Sequence, residues 1–79
     1  MQHKEVIMRF YCGSKSSFVS NVTYHPGKLT VVFKGNPHKY EYYFVPKAVF
    51  RALRKADSVG SAYGEFVKGK YPCKKIRTK

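Results

Sequence analysis

The sequence predicts a small α+β domain. Its sheet is an antiparallel meander of three strands, or four if residues 9–12 add one, followed by two short helices packed on one face. Three observations predict this. Residues 18–45 contain apolar runs with a two-residue period, separated by short Pro/Gly turns. At Val45-Pro46 the period changes to that of a helix. Seventy-nine residues give one domain with a modest core, and seven tyrosines and six phenylalanines supply compact apolar bulk for it.

Residues 1–7 are polar without a clear period and read as a flexible extension, with Met8 as an alternative start. A single compact domain is expected over 8–71 and a basic tail over 72–79. The first clear strand spans 18–24, with Phe18, Val22 and Tyr24 on one side and Val19, Asn21 and Thr23 on the other. His25-Pro26-Gly27-Lys28 is a turn: proline presets one φ and glycine permits a positive one. A second strand follows over 29–33, with Leu29, Val31 and Phe33 on one face. Gly35-Asn36-Pro37 turns the chain again. A third strand, 39–45, places Tyr40, Tyr42 and Phe44 together, and Tyr43 opposite. Connections this short favour antiparallel neighbours.

Pro46 suits the first turn of a helix, where its missing N–H is not needed. Over 47–56, at about 100° per residue, Val49, Ala52, Leu53 and Ala56 share one side, with Phe50 flanking them. Lys47, Arg51, Arg54 and Lys55 gather on the other. Asp57 to Gly60 breaks this helix, and Ser58 or Ser61 caps a second, ending near Val67. Val59, Tyr63, Phe66 and Val67 are its inward candidates. Gly64 weakens it, and Gly69 and Pro72 lead into the basic end.

Charge bounds the partner. The chain carries +12, with Glu5, Glu41, Asp57 and Glu65 as its only acids. Residues 68–79 hold six lysines and arginines and no acid. Such a balance is tolerable beside a polyanion. The first candidate surface is the stripe Lys47, Arg51, Arg54 and Lys55, which can meet several phosphates or an acidic protein patch. The alternative is an ordinary solvated face, although such faces usually mix signs. The second surface is Lys68, Lys70, Lys74, Lys75 and Arg77 with Lys79, against the alternative of a disordered solubilising end. Tyr40 and Tyr42 read as core. Tyr43 is a base-stacking candidate, while Tyr63 and Tyr71 fit either role.

Catalysis, cofactors, metal and a small-molecule substrate are not expected. The acids form no pair, and HExxH, P-loop and GxSxG patterns are absent. His3, His25 and His38 share no ligand spacing with the cysteines. Cys12 and Cys73 are expected to stay reduced, in a monomer of the cytoplasm. No apolar run is long enough to span a bilayer.

The chain resembles the KTSC domain, a module named from the C-terminus of some lysyl-tRNA synthetases and also found free-standing in bacteria and phages. The matching residues run in order: Ser16 and Ser17, then Tyr24, then Leu29, Val31 and Phe33, then Tyr40-Glu41-Tyr42 and Val45-Pro46, then Ala56-Asp57-Ser58-Val59-Gly60, and finally Phe66 and Tyr71. The resemblance spans roughly 16–71. The heavier charge and the basic end depart from it. It implies a fold more firmly than an activity. Its phage-type members imply a small regulator docked on host RNA polymerase, or another acidic protein surface, beside nucleic acid, altering initiation or termination. Its synthetase-attached members imply direct RNA or DNA binding through phosphates, with weak sequence preference.

Overall fold

The computed structural model describes residues 7–36 and 38–77. The N-terminal extension, apart from Ile7, therefore lies outside the described residues, as do Pro37 and Lys79. Strand β1 (Met8–Tyr11) and a short 3-10 turn (Gly13–Lys15) lead into β2 (Val19–His25), β3 (Gly27–Phe33) and β4 (His38–Val45). Helices α1 (Lys47–Lys55) and α2 (Val59–Phe66) follow, and β5 (Cys73–Arg77) closes the chain. The sheet order is β1-β2-β3-β4-β5, every neighbour antiparallel. The sheet thus has five strands rather than three or four. The added edge strand comes from the segment expected to be a basic tail: Lys74, Lys75 and Arg77 pair through their backbone with Glu41, Tyr40 and His38. Two adjacent lysines and an arginine among its five residues hide this strand from an apolar-period search, because only part of an edge strand needs to be covered.

Both helices pack on one sheet face. The core between the layers contains Val19, Val22, Tyr24, Leu29, Val31, Tyr42 and Val45 from the sheet, and Phe50, Leu53, Val59, Ala62, Tyr63 and Val67 from the helical side. Two bulges decide which residues reach it. In β2, Val19 pairs with Phe33 but Asn21 with Val32, so Ser20 is an extra residue. The side-chain phase flips there. Val19 is therefore buried with Val22 and Tyr24, whereas Phe18, expected on their face, lies half exposed at the margin, stacked on Phe33. In β4, Gly27 pairs with Val45 but Lys28 with Tyr43, leaving Phe44 as the extra residue. Phe44 sits at φ 64 and is 80% exposed. It does not share the core face of Tyr40 and Tyr42.

The aromatic that α1 contributes is Phe50, expected only to flank the helix stripe. It is fully buried, with Phe10 and Tyr24 rings at 5.4 and 5.7 Å. Ser58 caps α2, its hydroxyl accepting from the Ser61 amide at 3.3 Å. Phe66 is half exposed rather than inward. Cys12 is buried and Cys73 exposed, with no disulfide joining them. Among the described residues no helix is long and apolar enough to cross a membrane.

Candidate nucleic-acid interface

Helices cover one face of the sheet, so the opposite face of the strands is left open. Register lines its side chains into rows. Arg9 lies opposite Thr23, Thr23 opposite Thr30, Thr30 opposite Glu41, and Glu41 opposite Lys74, a row crossing all five strands. At strand spacings of about 4.8 Å this row is about 19 Å long. Tyr11, Asn21, Val32, Lys39 and Ile76 form the parallel row on one side. His25, Lys28 and Tyr43 form a shorter row on the other. Apart from Tyr43, Lys74 and Ile76, these rows line a shallow depression of about 370 Å³ over β1–β4.

The electrostatics are asymmetric. Arg9, Lys28, Lys39 and Lys74 face one carboxylate, Glu41. That carboxylate is already occupied: the Tyr43 hydroxyl donates to it at 2.8 Å and the Lys28 ammonium stands at 3.4 Å. The Tyr43 hydrogen bond, then Lys28 and Lys39, hold the Glu41 carboxyl below its ordinary range despite partial desolvation. The same contact raises the Tyr43 phenol. Arg9 Nε donates to Thr23 Oγ1 at 3.0 Å, which tethers the guanidinium to the neighbouring strand. Tyr11 is 69% exposed at the β1 edge. The surface thus offers cations and two tyrosine rings on a rigid support floored by the buried Thr23 and Thr30. These are the groups that take phosphates and unstacked bases. Among the described residues no three His, Cys, Asp or Glu side chains gather to hold a metal.

The described residues expected to bind divide among four places. Tyr43 and Lys74 belong to the open face. Lys47, Arg51, Arg54 and Lys55 are all exposed on α1, in the other layer, with the Arg54 guanidinium 5.9 Å from the centre of the Phe50 ring. Lys68 and Lys70 are exposed in the turn after α2. Lys75 and Arg77 alternate with Lys74 along β5, opposite Tyr40 and His38. Sequence reasoning did not single out Arg9, Lys28, Lys39 or Tyr11. The signal was there: the polar phase of each strand carries them, opposite the apolar phase that was used to find the core.

The sequence matches the KTSC domain over residues 15–71. The chain belongs to the KTSC domain family. A KTSC domain protein from Yersinia pestis, known from its crystal structure, is 27% identical to this chain, with a TM-score of 0.78 over 90% of this chain and 99% of that one. No curated protein matches.

The motif residues of this KTSC domain have structural work to do. Ser16 Oγ is buried and accepts from the Phe18 and Val19 amides at 3.2 and 2.9 Å. Gly60 comes so close that a Cβ there would stand 2.5 Å from Phe18 Cε1 and 3.2 Å from Ser16 Oγ. The Tyr24 hydroxyl donates to the Val45 carbonyl at 3.0 Å, and the Gly27 amide donates to the same hydroxyl at 3.2 Å, clamping the hairpin to the end of β4. Tyr42 and Tyr63 join hydroxyls between sheet and α2. These contacts lie on or beside the covered side of the sheet, so these motif residues build the scaffold.

Proposed function

We propose that this protein is a non-catalytic nucleic-acid-binding module that grips RNA or DNA on the open face of its sheet. The observation that carries this reading is the row Arg9–Thr23–Thr30–Glu41–Lys74 with Lys28 and Lys39 beside it, because it concentrates four cations on one rigid surface with a single, already occupied carboxylate. Phosphate contacts dominate such binding, and sequence preference is weak. The test is fluorescence anisotropy of a labelled 20-nucleotide oligo-dT against salt. Four phosphate contacts give a slope of log affinity on log salt of about −3. Lys39→Ala and Lys74→Ala should each reduce its magnitude by about 0.7. Useful binding absent at 150 mM salt, or a double Lys39→Glu/Lys74→Glu variant that binds as many strands per protein as wild type does, would overturn the reading.

Phe44 favours a second reading. A bulky residue at positive φ costs about 1–2 kcal/mol, and such strain concentrates at functional sites. An exposed aromatic held on a rigid bulge is the form of an interface anchor. In this reading the protein is a phage-type regulator that docks on host RNA polymerase, seats Phe44 in a pocket, and sets its positive charge against nearby nucleic acid to alter initiation or termination. A pull-down from nuclease-treated bacterial lysate should retain polymerase subunits with wild type and lose them with Phe44→Ala. Retention that ignores this substitution would sink the anchor.

A further inference from the structure

We infer that the protein has two independent polyanion-binding faces and bridges two segments of nucleic acid. This rests on the nucleic-acid reading above and extends it. The first face is the open side of the sheet. The second is the outer side of α1, where Lys47, Arg51, Arg54 and Lys55 are exposed. α1 contains no acid. Phe50 and Leu53 of the same helix are fully buried toward the sheet. The stripe therefore points out of the helical layer, while Arg9, Lys28, Lys39 and Lys74 point out of the sheet layer.

Distance keeps the two faces independent. A helix with its side chains is about 10–12 Å across, and the sheet adds its own thickness. The smallest principal extent of the molecule is 23 Å. The Debye length at physiological salt is about 8 Å. A strand bound on the sheet is therefore largely screened from one bound on α1, and occupying one face leaves the attraction at the other. The packed core between them makes the support stiff, so one strand cannot draw both faces onto itself without wrapping around an edge.

The experiment uses the full chain at 150 mM salt. Biotinylated 20-nucleotide oligo-dT on beads is loaded with protein and washed, then offered a fluorescent oligo-dT of the same length. Wild type should capture about one fluorescent strand per bead-bound protein. Arg51→Glu/Arg54→Glu should still load onto beads through the sheet yet lose capture at least tenfold. Lys39→Glu/Lys74→Glu should load through α1 and lose capture to the same degree. Circular dichroism checks that both variants fold. A mixture of the two variants should also fail to capture. Loading without capture by wild type would overturn bridging while leaving nucleic-acid binding intact. Capture that survives in either variant would overturn the two-face assignment. Capture restored by the mixture would overturn it too, since it would mean that two associated copies, not two faces of one copy, hold the strands. Failure of wild type to load at all would overturn the binding reading, and bridging with it.

Discussion

Phe44 leaves the core face that periodicity assigns it, while Phe50, expected only to flank its helix's apolar stripe, is fully buried, and that contrast can be measured. Phe50 is fully buried between Phe10 and Tyr24, whereas Phe44 is 80% exposed at φ 64. Truncating a buried phenylalanine to alanine costs about 3–5 kcal/mol. A domain of 79 residues has a total stability of about 4–12 kcal/mol. Phe50→Ala should therefore consume a large part of the fold's stability, and Phe50→Leu should cost about 1–1.5 kcal/mol. At Phe44 the terms oppose. Glycine relieves about 1–2 kcal/mol of left-handed strain, but it adds about 0.5–1 kcal/mol of unfolded-chain entropy and gives up the small area the ring buries. The net change for Phe44→Gly should lie within about 1 kcal/mol of wild type, a shift in Tm of no more than about 4–8 °C. Urea denaturation followed by far-UV circular dichroism reads both variants. The reasoning fails if Phe44→Gly costs more than Phe50→Leu, because the ring would then be part of the core and β4 would carry no bulge.

Two further outcomes follow from titrating groups. Burial, then the hydrogen bond to Tyr63, raises the Tyr42 phenol, and burial raises Tyr63 as well. A raised folded pKa contributes stability that is intact below the unfolded tyrosine pKa of about 10 and is lost as pH rises past it; Tyr42→Phe should flatten this alkaline loss, read by urea midpoints between pH 8 and 11, at a cost of about 1 kcal/mol at neutral pH. Glu41 is shifted the other way, so its contribution is present above the unfolded glutamate pKa of about 4.3 and fades as pH falls toward the folded value. Glu41→Gln should flatten the acid limb of stability and, by removing the open face's carboxylate, strengthen oligo-dT binding about 3- to 5-fold at low salt; unchanged or weaker binding would contradict the electrostatic account of that face.

Local chemistry made much of the fold legible. The Pro26-Gly27 turn, the change of period at Pro46, and the Ser58 cap lie where residue type dictates them, since each is set by a few neighbouring dihedrals or one short hydrogen bond. What failed was phase and partnership. One extra residue at Ser20 or at Phe44 reverses every inward assignment on one side of it, and nothing in the composition of either strand marks the insertion.

An aromatic-cored α+β fold with a large positive charge was legible in the chain read in order, because period and charge count are properties of that order. That residues 73–77 form an edge strand, and that Arg9, Thr23, Thr30, Glu41 and Lys74 stand in one row, follows from the folded sheet alone. The tertiary structure also decided that α1's cations lie on the other side of the core from them. Those residues are separated by up to 65 positions along the chain. Cross-strand register brings them together, and register is fixed by side chains buried on the face those five residues do not share.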